Sequence, residues 1–333
     1  VSGSDLPRVW FERVIPAGLE EEVARVAVPL GPPTGDDPYA GLATAGAAMA
    51  SVYRYDATLM DHAPELRVIS RTGIGYDLVD VAEATRRGIA VCNTPDAPSV
   101  STAEHAVALI LAVAKDVKRS ESELERGVGD YYSRHHAIEL DGKTAGLVGY
   151  GRIARRVARA CAGLGMRVTA YDPYLPDTAF GPDVLRVPSL AELLAGADVV
   201  SVHVPLTEES RGLIGATEFG LMKPGAIFVN TARGGLVDGD ALVAVLDAGH
   251  LHGAGLDVTD PEPLPVGHPL LGRDDVVITP HVASGTGEGK IRIFRAALAN
   301  AMAVLEGRRP DHLVNPEVWD ARTSPITQEA RRW

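Results

Sequence analysis

Cysteine is nearly absent from the chain: two in 333 residues, Cys92 and Cys161. That excludes a disulfide scaffold, and two cysteines in α/β-patterned segments fit a reducing compartment. Cys161 falls inside a helical pattern and reads as a packing residue, not a nucleophile. Basic residues are also in deficit, 32 against 44 acids, for a formal charge of −12. Such a chain has no general attraction for nucleic acid or anionic membrane, so neither is expected as a partner. No apolar run reaches the roughly 20 residues that span a bilayer, and no signal-peptide pattern opens the sequence. A cytoplasmic location is the expectation. The start, Val1-Ser-Gly-Ser, lacks methionine and reads as trimmed or altered over a few residues. No internal repeat is visible. His135 and His136 stand beside Arg134 without a partner at metal-ligand spacing, and no metal site is expected. A chain of this length is expected to form two domains, each large enough to bury a core.

What is present begins with Thr144-Ala-Gly-Leu-Val-Gly149-Tyr150-Gly151-Arg152-Ile153-Ala154. It reads as a buried strand, a glycine turn and the first turn of a helix. Gly149 permits the tight turn, Gly151 removes a side chain where backbone approaches a pyrophosphate, and Ala154 lets the helix pack on the strand. N–H groups at the helix start then face an anion. Arg152 at that start reaches the same pyrophosphate, while Arg155, Arg156 and Arg159 read as a solvated basic face. Glycines in this pattern also occur where they merely turn a βαβ unit. Here residues 167–171 read as the next strand, and Asp172 ends it 23 residues after Gly149. An acid at that point accepts hydrogen bonds from an adenosine ribose. Pro173 and Tyr174 follow, with no arginine for a 2′-phosphate, so NAD is expected over NADP.

Three later segments place reactive groups just past apolar strands. Ile227-Phe-Val-Asn-Thr-Ala-Arg233-Gly-Gly supplies an arginine, Gly255-Leu-Asp257-Val-Thr-Asp260-Pro261-Glu262-Pro263 a carboxylate between two prolines, and Val277-Ile-Thr-Pro280-His281 a histidine. The carboxyl ends of parallel strands are where open sheets bind ligands. A guanidinium grips a planar carboxylate or carbonyl through two parallel hydrogen bonds. An imidazole exchanges a hydroxyl proton near neutral pH, and a neighbouring carboxylate orients that ring and favours its charged form. The set suits hydride transfer to a 2-oxo acid.

On these residues the chain resembles the D-isomer-specific 2-hydroxyacid dehydrogenases, from about Arg8 to Pro316. The glycine motif, Asn230-Thr-Ala-Arg233-Gly-Gly, Asp257-Val-x-x-x-Glu262-Pro and Pro280-His281-x-Ala-Ser together carry the resemblance. It implies that His281 is the acid–base, that Glu262 pairs with it and that Arg233 holds substrate. It implies NAD contacts from Thr102, Gly149, Gly151, Arg152, Ile153, Asp172, His203, Pro205, Thr207, Thr231, Ala232 and Asp257. The loop from His203 to Thr207 would lie against adenine and phosphate, and Asp257 on the nicotinamide side. Without the resemblance, His203 reads as a surface residue and Asp257 as the cap of its turn. In Arg71-Thr-Gly73-Ile74-Gly75, two glycines two apart expose N–H groups that cradle a carboxylate. The family uses this loop for substrate, which assigns Gly73, Ile74 and Gly75 to that role. Tyr76, where the family often has a small aliphatic residue, either narrows the pocket or faces solvent.

The order of elements predicts an α/β fold of two Rossmann-like, doubly wound domains. An NAD-binding domain, 101–287, is inserted into a flavodoxin-like substrate (catalytic) domain, 1–100 and 288–333; the return of the tail is implied by the resemblance. Strands are expected at 47–52, 67–70 and 90–93, with helices at 56–63 and 81–87. Pro95-Asp-Ala-Pro98 punctuates this run. Ser101-Thr-Ala-Glu104 fits a capping box that opens an apolar-faced helix to about Lys118, and the polar segment 120–136 follows. Further strands are expected at 199–204, 226–231, 253–258 and 276–279, and an apolar-faced helix at 288–306. The resemblance implies a homodimer built on the long helix and the segment after it.

The expected activity is reversible hydride transfer between NAD(H) and a small 2-oxo or 2-hydroxy acid, of the glyoxylate/hydroxypyruvate type. The alternative is a short-form D-3-phosphoglycerate dehydrogenase. Those enzymes commonly carry an arginine after the strand ending near Val52; ungapped alignment puts Ala50 and Ser51 there, with Arg54 nearby. No appended amino-acid-sensing domain is expected, which leaves the short form open. A formate dehydrogenase is disfavoured, because that branch has glutamine where Glu262 stands. An alternative of another class is an NAD-sensing transcriptional corepressor, which no basic tail supports. An inactive paralogue ranks last.

Overall fold

The computed structural model describes residues 6–323. They divide into two units: one takes the described residues up to Pro98 and from Gly287 onward, the other is Ser99–Thr286. The first begins β1 (Arg8–Phe11), α1 (Glu20–Ala24), β2 (Val28–Leu30), β3 (Ala47–Ala50), α2 (Ala57–Asp61), β4 (Val68–Arg71), α3 (Val81–Arg86) and β5 (Ala90–Cys92). The second runs α4 (Ser99–Ala114), α5 (Val117–Arg126), α6 (Tyr131–Arg134), β6 (Thr144–Val148), α7 (Arg152–Gly163), β7 (Arg167–Tyr171) and β8 (Val184–Arg186). It continues through α8 (Leu190–Gly196), β9 (Val199–Val202), α9 (Ala216–Leu221), β10 (Ala226–Asn230), α10 (Gly239–Asp247), β11 (Leu251–Leu256) and β12 (Val276–Ile278). The chain then returns to the first unit in α11 (Gly287–Leu305) and α12 (Pro316–Thr323).

The first unit is a five-stranded parallel sheet in the order β2-β1-β3-β4-β5. The two-residue alternation of a strand sends Val9 and Phe11 to one face and Trp10 to the other. On one side Phe11, Met49 and Val68 pack with Phe294, Ala297 and Leu298 of α11. On the other, Trp10, Ala48 and Ile69 pack with Leu59 and Met60 of α2 and Ala84 of α3. Covering on both faces is why these strands read as continuous apolar runs. Asp56 and Asp80 cap α2 and α3 by accepting from the amides of Leu59 and Glu83.

The second unit is a seven-stranded parallel sheet in the order β12-β11-β10-β9-β6-β7-β8. The strand order reverses between β6 and β9, and a ligand crevice opens at such a point, outside the carboxyl ends of the strands. No described helix is long and apolar enough to cross a membrane.

Two expectations about the long helix are corrected. It starts at Ser99, so Ser101 lies inside it rather than capping it, and the Ser101 hydroxyl meets Thr286 Oγ1 at 2.8 Å. It stops at Ala114, short of Lys118, because Asp116 takes a left-handed backbone (φ 49°) ahead of α5. The apolar face of α4, with Ala106, Leu109, Ile110 and Val113, is buried in its own unit's core. Within the polar segment 120–136, α5 fills most of the first half and α6 follows, and neither has a buried residue.

Candidate active site

β10, β11 and β12 are neighbours at one edge of the second sheet, and the loops that follow them carry Arg233, Glu262 and His281. His281 Nδ1 lies 2.6 Å from Glu262 Oε1, with both side chains partly open to solvent. Burial alone would raise the Glu262 carboxyl. The hydrogen bond and charge of His281, a backbone hydrogen bond from Thr259 and the charge of Arg233 hold it below the ordinary carboxylate range. The expected pairing of His281 with Glu262 is thus seen as a contact, and Arg233 acts on the same carboxylate.

Each loop is held from below. Asn230, 1% exposed, accepts from Ala232 N at 2.9 Å and donates to the Arg233 carbonyl at 2.8 Å, so it brackets the arginine's turn. Arg233 Nη1 donates to the Ala232 carbonyl at 2.7 Å. Gly234 follows, and a Cβ there would lie 2.0 Å from the Thr259 carbonyl oxygen. Only glycine lets the Glu262 loop rest on the Arg233 turn. Asp257 is also 1% exposed. Its Oδ1 accepts from Thr279 Oγ1 at 2.6 Å and Val282 N at 2.9 Å, and its Oδ2 accepts from Ala283 N at 2.9 Å. Its carbonyl accepts from His281 N at 2.8 Å. The Asp257 side chain, read from sequence as a cofactor contact, is bonded to the loop that carries His281. His281 itself has φ 53°, a left-handed conformation that a residue with a side chain holds only when its surroundings enforce it. From sequence, Asn230 is legible only as the start of its motif, without the bracketing role, and the histidine at position 105, whose Nε2 is 2.8 Å from Thr279 Oγ1, is not singled out at all. A polar residue on an apolar helix is the only signal for the latter.

At the reversal point, Gly149 has φ +85°, and a Cβ there would lie 2.7 Å from Val204 Cγ1 and 3.0 Å from the His203 carbonyl oxygen. Gly151 precedes α7, and no side chain caps that helix start; Arg152 opens the helix, with Ile153 half-buried behind it. Asp172 accepts from Tyr150 N through Oδ2 and from Tyr174 N through Oδ1, both at 3.0 Å, so the acid is tied to the glycine turn. The His203 ring bonds to Ser201 Oγ at 2.9 Å, and burial pushes it down to about 4, uncharged at neutrality. Pro205 and Thr207 lie on a loop closed on itself through Ser210, whose hydroxyl donates to the Pro205 carbonyl at 2.7 Å. Thr102 is buried in the first turns of α4. Thr231, at the end of β10 beside half-buried Ala232, has a buried hydroxyl with no hydrogen-bond partner among the described residues. A glycine turn closed to side chains, an uncapped helix start, an acid at the next strand end and an orphaned hydroxyl fit an extended dinucleotide.

In the first unit, the Gly73-Ile74-Gly75 turn follows β4. Its carbonyls accept in order from Thr94 N at 2.9 Å, Asn93 Nδ2 at 2.8 Å and Arg71 Nε at 3.0 Å. Tyr76 is 44% exposed. Cys161 is buried in α7, and burial pushes its thiol up to about 11.

Residues 107–283 match the family described as D-isomer specific 2-hydroxyacid dehydrogenase, NAD binding domain. The chain is 42% identical to a D-3-phosphoglycerate dehydrogenase of Archaeoglobus fulgidus over 262 residues, 79% of this chain and 50% of that one. It thus spans about half the length of that relative. It is 38% identical to a glyoxylate reductase of Aeropyrum pernix over 328 residues, 95% of this chain and 98% of that one. The solved structure of TT0316 protein from Thermus thermophilus is similar at a TM-score of 0.84 and 40% identity, over 92% of this chain and 99% of that one. The chain belongs to the D-isomer specific 2-hydroxyacid dehydrogenase family.

Proposed function

We propose that the protein is an NAD-dependent D-2-hydroxyacid dehydrogenase acting on small 2-oxo and 2-hydroxy acids of the glyoxylate/hydroxypyruvate type. The observation that carries the reading is the 2.6 Å His281–Glu262 bond, with the charge of Arg233 acting on the same carboxylate. NAD, when bound, takes up or supplies the hydride. Arg233 grips the carboxylate or carbonyl of the acid and stabilises charge on the carbonyl oxygen. His281 gives a proton to that oxygen in reduction and removes it from the hydroxyl in oxidation. Glu262 orients the ring and balances its positive charge. The Gly73, Ile74 and Gly75 amides are the proposed cradle for substrate carboxylate, their carbonyls being held by Thr94, Asn93 and Arg71. The first unit is read as the substrate domain and the second as the cofactor domain. Two cysteines, both buried, fit a reducing, cytoplasmic setting.

The phosphoglycerate dehydrogenase relatives favour a second reading, with a phosphorylated substrate. The loop after β3 argues against it. The amides of Ser51, Val52 and Tyr53 point to Glu12 Oε2 at 2.7, 2.5 and 3.3 Å, so a carboxylate of the chain already fills that anion cradle. NADH oxidation over a panel of 2-oxo acids tests both readings. Turnover of glyoxylate or hydroxypyruvate is expected; absence of turnover on every acid would sink the dehydrogenase reading, and a preference for the phosphorylated acid would select the second.

A homodimer is also proposed. α4 is buried within its own unit, so the segment after it is the better contact surface. Val117 and Leu124 of α5 and Tyr132 of α6 are 54%, 65% and 96% exposed.

A further inference from the structure

His105 has no part in the chemistry proposed so far, yet it is bonded into the support of His281. Its Nε2 lies 2.8 Å from Thr279 Oγ1 and 3.5 Å from Asp257 Oδ1. The Thr279 hydroxyl has a single hydrogen, which it donates to Asp257 Oδ1 at 2.6 Å. Toward His105 it is therefore the acceptor, and the histidine's Nε2 carries a proton. Asp257 in turn accepts from the amides of Val282 and Ala283, and through its carbonyl from the amide of His281. An unbroken run of hydrogen bonds thus leads from α4 to the amides of Val282 and Ala283, just after the left-handed His281. The starting point is rigid, because Ala106, Leu109 and Ile110 fix α4 in the core. Asp257 is a buried carboxylate, and its position depends on a full set of donors.

We propose that His105 is a positioning residue for the acid–base histidine. Its Nε2–H anchors the Thr279 hydroxyl, which keeps the Asp257 carboxylate clamped on the loop and the His281 ring aimed at substrate. The inference rests on the dehydrogenase reading. Donors linked in series polarise one another, so loss of the first loosens those after it.

The test compares His105→Ala with His105→Gln, which retains an N–H donor. In His105→Ala, kcat for the preferred 2-oxo acid is expected to fall about 10- to 100-fold, the size of a small misplacement of a reacting group. NADH affinity should change much less than kcat, since His105 itself is not an assigned cofactor contact. His105→Gln should recover most of the loss. A readout without turnover is amide hydrogen exchange at Val282 and Ala283: faster in His105→Ala, near wild type in His105→Gln. Should the wild type reduce no 2-oxo acid, the dehydrogenase reading fails, while the exchange rates still decide whether His105 holds the loop. Unchanged kcat and exchange in His105→Ala would overturn the proposal. So would equal losses in the two variants, because the donor would then not be the cause.

Discussion

Replacing Arg233 with lysine keeps a charge and removes the planar fork that makes two parallel hydrogen bonds. R233K is expected to lower kcat/KM about 100-fold or more, as loss of a charge-stabilising donor does, with little change in NAD affinity. Near-native kinetics would take Arg233 out of the mechanism. Glu262 tests the proton. Its carboxyl is held below the ordinary range, so it stays ionised through neutral pH and sets a negative charge against the His281 ring. E262Q removes that counter-charge. Reduction needs the protonated ring, so its rate should fall away at lower pH than in wild type, and the rising limb of oxidation should shift the same way. Paired pH–rate profiles with unmoved limbs would end the dyad assignment. For the cofactor, D172A should weaken NAD binding about 10- to 100-fold, the loss of charge-assisted hydrogen bonds worth about 1.5–3 kcal/mol. Calorimetry giving wild-type affinity would refute the ribose contact.

At the level of elements, the turn after β10 and the loop after β11 touch at Gly234, where a Cβ would meet the Thr259 backbone at 2.0 Å. Backbone cannot swing aside as a side chain does, so G234A must separate the two loops. A stability loss of about 1–3 kcal/mol is expected from such overpacking, with a larger fractional loss of kcat; an unchanged urea midpoint together with unchanged kcat would contradict the packing. The buried strands were legible because an all-parallel sheet leaves apolar runs, and β7 matches its expected span, 167–171. Strand ends were less so: 47–52 stops at Ala50 and 199–204 at Val202, because apolar character outlasts pairing. The true start of α4 was hidden because Ser101 is turned to Thr286, 185 residues away, and its end because nothing local marks Asp116 as left-handed. The His281–Glu262 contact was readable from motifs lying past adjacent strands. His105 was not, since its partner Thr279 is 174 residues distant and an apolar helix pattern does not single out a polar residue within it.

For the whole molecule, light scattering is expected to give a dimeric mass, and L124D on α5 a monomeric one, because a charge in an apolar contact loses its hydration. A monomeric wild type would refute the dimer. The return of α11 to the first unit has a consequence in time. The five strands of that unit are all made by Cys92, but the helix that covers Phe11, Met49 and Val68 begins at Gly287. At about 5–20 residues per second of synthesis, one face of the finished sheet waits roughly 10–40 s for its cover. During that wait the ribosome carries a chain whose later unit folds before the earlier one is complete. Ribosome-bound chains halted ahead of Gly287 should therefore recruit chaperones through that apolar face, and chains released past Leu305 should not.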